Sequence, residues 1–406
     1  MKDIKIRSIS LKSFKGFDDI TIDCAKSDTE LYQWTVLLGN NNTGKTRILQ
    51  AIADMCPITL DGSGNSSLNK HLIVPFISLK EMENWDENNR FDLVCNLTNY
   101  GEWKFAKYEK HVSADGAGKL DDFHMFAYGV SRYPSTKQNL SGEDECGDCD
   151  SLFSVDKRLI HIEQWLMQLD YSAKNKNTQA KKILKKIKEV ICSNIFPEIN
   201  DFMFESSEVG RNNVLFKTKD GWFRFKELGF GYQSMLSWVV DLTKRMYKYF
   251  PNSENPLLES AIVLVDEIDL HLHPKWQREI ISYVSEIFKN VQFIVTTHSP
   301  LIIQSMQEVN LYVLRREDEK IVVEHSPETN FSGWTVEEIL RDTMKLDNDI
   351  HSDFLQNTYK LFDEGLDNND INKAREAYNT LIKILHPNNP ARRLLKLQLD
   401  QMEIND

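Results

Sequence analysis

The chain has 406 residues, enough for about two to three domain-sized units. Its hydrophobic content of 41% supports a sizeable core, and its net charge of −12 argues against blanket electrostatic binding of nucleic acid, so any such contact needs a local patch. Six cysteines are scattered as in a reducing compartment, and Met1-Lys-Asp-Ile-Lys has no apolar stretch behind it. No run reaches the ~18 apolar residues of a membrane span, so a cytoplasmic protein without a membrane segment is expected.

Residues 4–24 read as two short strands joined by Ser13-Phe14-Lys15-Gly16-Phe17, a turn carrying a basic residue. The apolar run Trp34 to Leu38 then leads into Gly39-Asn40-Asn41-Asn42-Thr43-Gly44-Lys45-Thr46. That spacing, G-x-x-x-x-G-K-[ST], is the phosphate-binding loop. An apolar-periodic helix follows from Thr46, so strand, loop and helix are in register. The glycines let the backbone turn its N–H groups inward on phosphate oxygens, and the helix N-terminus adds partial positive charge. Nucleotide binding is therefore assigned to Gly39 through Arg47. Lys45 is expected to neutralise the β- and γ-phosphates, and Thr46 to ligate Mg²⁺.

Residues 61–70 are Gly/Ser/Asn-rich and read as loop. Alternating runs within 71–128 suggest an antiparallel β-lobe returning to a central strand near Phe123–Tyr128. Residues 134–151 are polar and acidic, and a mobile loop is expected there. Cys146 and Cys149 form a lone C-x-x-C in it. A zinc site would need a second ligand pair, with His161 the nearby candidate, and an exposed loop is the expected reading.

A helical insert spans about 152–200. Leu159, Ile162, Leu166 and Leu169 share one face; Ile183, Leu184, Ile187, Val190 and Ile191 mark a second helix. Lys174, Lys176, Lys181, Lys182, Lys185, Lys186 and Lys188 crowd the same insert with no acid among them. Lys181, Lys185 and Lys188 can share a face, which is either solvated or a contact for DNA or RNA. Residues 201–226 alternate as a hairpin turning at Asp220-Gly221. Then come a helix from Gly231 to about Phe250, a buried strand at 261–266, a helix at 275–289, a buried strand at 291–297, a helix from Pro300 and paired strands at 311–316 and 320–325. Strands alternating with helices mean a parallel sheet covered on both faces. Residues 334–402 read as helical throughout, with Tyr359, Phe362, Tyr378, Leu381, Ile382 and Leu385 as core candidates.

Two strand ends complete the chemistry. Ala261-Ile-Val-Leu-Val-Asp266-Glu267 is a buried run ending in paired acids: Asp266 can hold the Mg²⁺ shell, and Glu267 can polarise the attacking water. Phe293-Ile-Val-Thr-Thr-His298 ends the next strand in a histidine. In a parallel sheet that is the ligand edge, and His298 is assigned as a γ-phosphate sensor.

The order of phosphate loop, Gly229-Phe-Gly231, Val265-Asp-Glu-Ile-Asp-Leu-His-Leu-His-Pro and Thr296-Thr-His-Ser-Pro resembles the SMC-like branch of the ABC ATPases, which includes DNA-repair ATPases and many prokaryotic antiphage ATPases. Among these the chain looks most like the Septu ATPase subunits, and Tyr128-Gly129-Val-Ser-Arg132 is similar to a segment of the compact members. The resemblance implies an α/β, ABC-type P-loop NTPase: an antiparallel β-lobe, a central parallel sheet flanked by helices, a short helical insert and a helical C-terminal extension. It divides the chain into an ATPase domain, 1–333, and a docking or assembly region, 334–406. It implies that Lys15 approaches the nucleotide, and that Gly231 binds the γ-phosphate held by an opposite subunit in a head-to-tail homodimer or higher even oligomer. The family's signature serine is replaced by Gly229, so engagement across the dimer should be weaker or slower. The function implied is ATP hydrolysis with Mg²⁺, regulating a partner effector, a nuclease encoded nearby, in antiphage defence. The alternative is a repair or recombination ATPase acting on DNA ends or gaps. The family's long coiled coil is absent, and the segment after His298 is too short for an added nuclease domain, so no intrinsic nuclease is expected.

Overall fold

Strands buried on both faces need unbroken apolar runs, and four segments of this chain answer that description. In the computed structural model of the chain, the described residues are 4–12, 17, 19–54, 91–98, 101–108, 111–115, 123–132, 134, 147–206, 212–317, 320–346 and 351–405. Lys15 and its turn, the Gly/Ser-rich loop at 61–70 and Cys146 lie outside them. The described residues form two units, Met1–Val336 and Glu337–Asp406.

The first unit opens with β1 (Ile6–Lys12) and β2 (Ile20–Asp23), then β3 (Trp34–Gly39), the phosphate loop and α1 (Lys45–Asp54). After β4 (Phe91–Leu97), β5 (Gly101–Tyr108) and β6 (His111–Asp115) comes β7 (Met125–Tyr128). The strands β2-β1-β4-β5-β6 form one antiparallel sheet, the expected β-lobe. Three helices follow: α2 (Asp150–Phe153), α3 (Ile162–Lys174) and α4 (Thr178–Ile191). Asn177 starts α4 by accepting the Ala180 N–H, and His161 starts α3 by accepting the Gln164 N–H at Nδ1. His161 thus serves as the N-cap of α3.

The expected hairpin is a three-stranded meander, β8 (Asp201–Ser206), β9 (Asn212–Thr218) and β10 (Gly221–Arg224). The long α5 (Phe230–Tyr249) leads to β11 (Ile262–Val265), α6 (Pro274–Gln277), α7 (Ile280–Ile287), β12 (Gln292–Thr297), α8 (Pro300–Ser305), β13 (Asn310–Glu317) and β14 (Lys320–His325). The single helix expected at 275–289 is thus two pieces. The main sheet runs β14-β13-β3-β12-β11-β7, all parallel except β14. Strand β7 takes its edge, where the sequence suggested a central place. Every residue of β3, β7, β11 and β12 is buried. Paired residues Trp34 and Phe293 stack with ring centroids 4.2 Å apart, tying β3 to β12.

The acidic stretch expected to be a mobile loop is partly anchored. Ser151 and Leu152 are buried in α2, and Asp148 pairs with Arg245 of α5 and accepts from Tyr249. Arg245 also donates to the buried Asp241 at 2.6 Å, and Asp241 accepts from Tyr128 of β7 at 2.9 Å. Burial opposes the Arg245 charge, but Asp241, Tyr128 and Asp148 outweigh it and hold its pKa above the ordinary value. A local reading of residues 134–151 cannot see an arginine roughly a hundred positions away.

The second unit contains α9 (Asp353–Asp367), α10 (Ile371–Ile384) and α11 (Ala391–Asn405). Phe362, Leu381 and Leu385 are buried with Ala374, Ala377, Leu395 and Leu399, while Tyr359 and Tyr378 pack partly buried against them. The unit thus has its own core. Trp334 packs instead on Phe331, in the first unit.

Candidate active site at the edge of the parallel sheet

Parallel strands end on the same side, so β3, β11 and β12 deliver their last residues to one edge. Register fixes the alignment: Val265 lies opposite Val295, and Thr297 opposite Leu38. Asp266, Glu267 and His298 therefore arrive beside the phosphate loop. The loop needs its glycines. A Cβ on Gly39 would stand 2.5 Å from the Leu314 carbonyl oxygen; Gly44 has φ +85°, and a Cβ there would stand 2.5 Å from the Phe17 ring. Asn42 also sits left-handed, at φ 64°, where asparagine is tolerated better than most residues.

Lys45 is buried, and its Nζ donates to the carbonyls of Gly39 at 2.7 Å and Asn40 at 3.1 Å, curling the loop around the ammonium. The same Nζ lies 3.4 Å from Glu267 Oε1. Thr46 donates to Asp266 Oδ2 at 2.8 Å and Thr296 to Asp266 Oδ1 at 2.6 Å. Burial raises the Asp266 pKa, and those two hydroxyl donors work against the rise. Glu267 Oε2 meets His298 Nδ1 at 2.8 Å, so glutamate and histidine form one pair. Asp269 accepts from Thr297 at 2.5 Å and lies 3.7 Å from His298 Nε2.

A cavity of about 720 Å³ opens on this edge, lined by Asn41, Asn42, Thr43, Gly44, Lys45, Thr46, Arg47 and Glu267, with Arg316 and Ile321 from the β13–β14 hairpin. Sequence reasoning missed Arg316 and Ile321. They reach the site because β13 runs alongside β3, with Leu314 opposite Gly39, and no local pattern announces that neighbour. It also missed Thr296, whose hydroxyl both donates to Asp266 and accepts the Glu267 N–H at 2.7 Å. Arg132 was noted only as part of a segment; it is buried with Nη2 donating to the Glu267 carbonyl. Its Nε and Nη1 have no partner among the described residues, and a buried unsatisfied donor costs about 1–3 kcal/mol. Burial pulls the Arg132 pKa down to about 10, against the lift from Asp266, Asp269 and Glu267.

Gly231 is not brought to this cavity. It lies in the first turn of α5, packed so tightly that a Cβ would stand 2.6 Å from the His271 carbonyl oxygen. Gly229 beside it faces open space, and Phe230 is 66% exposed. Lys181 and Lys185 are exposed, whereas Lys188 pairs with Asp201 at 2.6 Å and lies over the Phe202 ring.

A phosphate loop, an acid at the end of β11 and a histidine-paired glutamate on one sheet edge define a nucleotide site, and a family comparison agrees. The AAA ATPase domain model matches residues 4–128 and 121–303. The chain belongs to the AAA ATPase domain family. The α/β P-loop architecture, with its mainly parallel sheet and antiparallel β-lobe, stands as expected. Septu protein PtuA of Bacillus thuringiensis is 36% identical over 207 residues, 50% of this chain and 52% of that protein. Retron Ec83 probable ATPase of Escherichia coli is 34% identical over 176 residues, 43% of this chain and 32% of that protein. The chain thus spans about half the length of the first relative and a third of the second. A structure of the Smc head bound to the C-winged helix domain of ScpA aligns over 79% of this chain and 97% of its own, at TM-score 0.48 and 15% identity. Among the described residues no helix is long and apolar enough to cross a membrane.

Proposed function

We propose that the protein hydrolyses ATP, dimerises around it and thereby regulates a partner effector in antiphage defence. The single observation that carries the catalytic part is Glu267: it lines the phosphate-loop cavity, hydrogen-bonded to His298 and 3.4 Å from Lys45. Glu267 accepts the proton of a water that attacks the γ-phosphorus; the bond to the bridging oxygen breaks, and ADP and phosphate leave. Lys45 exchanges the Gly39 and Asn40 carbonyls for phosphate oxygens. His298 holds the Glu267 carboxylate and senses the γ-phosphate. Thr46 and Asp266 converge as an all-oxygen pair 2.8 Å apart, a donor set that fits a hard divalent cation. When bound there, Mg²⁺ supplies charge neutralisation across the β- and γ-phosphates.

The dimer reading rests on the start of α5. Gly231 lines no part of the chain's own cavity, and Phe230 stands exposed beside it. A helix N-terminus favours an anion, and a second copy would bring its γ-phosphate there. The effector reading rests on the likeness to Septu and retron-associated proteins and on Glu337–Asp406. That unit has its own core, yet exposes Phe354, Leu361, Ile384, Leu394 and Leu397. Aromatic and aliphatic side chains of this kind are what docking surfaces use. Cleavage chemistry is assigned to the partner.

Copurification with the products of neighbouring genes tests the whole reading, with and without ATP. A cut after Val336 is preferable to one near Asn330, which would remove the buried Phe331. The shortened chain should keep ATP turnover and lose its partner. Nuclease activity in pure protein, abolished by a point mutation within 337–405, would sink the regulator reading.

A further inference from the structure

Arg132 takes no part in the reaction just described, and it is an expensive residue to keep. It follows β7, is 1% exposed, and leaves two donors, Nε and Nη1, without a partner among the described residues. A buried charge with unfilled hydrogen-bonding capacity lowers stability, and an apolar side chain of similar size would pack there at less cost. Strain and unsatisfied groups of this kind gather at functional sites.

Its hydrogen bond among the described residues shows what it does. Nη2 donates to the main-chain carbonyl of Glu267. Glu267 has φ 47°, a left-handed backbone that is unfavourable for a glutamate. The peptide is held from both ends: Thr296 Oγ1 accepts the Glu267 N–H, and Arg132 grips the carbonyl. In this conformation the carboxylate meets His298 at 2.8 Å and lies 3.4 Å from Lys45. Arg132 itself is 1% exposed, and its observed contact is with the Glu267 main chain.

We infer that Arg132 is a positioning residue, clamping the Glu267 peptide in its left-handed turn so that the carboxylate stays aligned on the attacking water. This rests on the reading of Glu267 as proton acceptor. Misplacing a catalytic group by a fraction of an ångström reduces turnover without weakening substrate binding.

The test is a double-mutant cycle between Arg132→Met and Glu267→Gln, read by single-turnover ATP hydrolysis, nucleotide affinity and thermal unfolding. Arg132→Met alone should lower the hydrolysis rate by about 30-fold, leave ATP affinity within about threefold, and leave Tm unchanged or raised. In the Glu267→Gln background it should produce no further loss, since its effect passes through Glu267. An unchanged rate overturns the inference. So does a rate loss matched by loss of affinity or Tm, which is what mere structural damage would give, and so does full additivity with Glu267→Gln. Should the Met variant fail to fold, Arg132→Lys keeps the charge but loses the planar fork that reaches the Glu267 carbonyl. It is expected to show a loss of about tenfold with the same non-additivity, and a wild-type rate in it overturns the inference equally. Normal turnover in Glu267→Gln itself is a different failure: it removes the reading of Glu267 first, and this inference with it.

Discussion

The phosphate loop and the start of α5 are both glycine-bearing entries to a helix, and their surroundings differ. At the loop, Lys45 is folded onto the Gly39 and Asn40 carbonyls, and Thr46 is bonded to Asp266, so the chain satisfies its own groups. At α5 the N-cap is Gly229, with no side chain to offer, open space beside it and Phe230 two-thirds exposed. One entry is filled by the chain's own groups, and the other is open. On the proposed reading the nucleotide is held by one copy, and α5 meets it from a second.

The sharpest way to break that contrast is at the loop. Lys45→Ala should abolish ATP binding, with affinity falling by about a hundredfold or more, because a point charge on the β- and γ-phosphates is lost. Calorimetric titration reads it, and near-normal affinity would leave the loop's main cation without its role. Glu267→Gln should keep binding and reduce turnover by about 10²–10⁴-fold. It should also accumulate an ATP-bound dimer on size exclusion; a monomer at saturating ATP would count against the α5 side of the comparison.

Gly231→Ala comes next. Its Cβ must push on the His271 backbone, which should cost about 1–3 kcal/mol of stability, measured by denaturant unfolding. Gly229→Ser has room for its side chain and gives α5 a hydroxyl cap, so stability should rise by about 0.3 kcal/mol. The rate should rise only where the protein dimerises, so a rate independent of protein concentration would break the link between α5 and the opposite subunit. The smallest effect is expected on the helical insert. Lys181→Glu with Lys185→Glu removes two exposed cations and should weaken any DNA or RNA binding by roughly tenfold at low salt. Equal affinity in both proteins means a solvated face. Lys188 is left out because its partner Asp201 would confound the result.

Much of the active edge was legible because its chemistry is local. A phosphate loop must have glycines at fixed spacing, a doubly buried strand must be apolar, and an acid at its end must follow directly. Gly39 to Arg47, Asp266, Glu267 and His298 could be named from spacing for that reason. The sequence also limited what could lie elsewhere: the lysine-rich helix is amphipathic wherever it packs. Strand order was beyond it. Arg316 reaches the cavity only because β13 lies beside β3, and Thr296 completes the acid pair only because β12 lies beside β11. Arg132 needed β7 to be the edge strand next to β11 before its guanidinium could meet Glu267. Asp148 needed α5 to bring Arg245 to it. Spacing along a chain fixes what a segment can bind, whereas which distant side chain answers a buried charge is decided by how sheets and helices pack, and that long-range choice leaves no local mark.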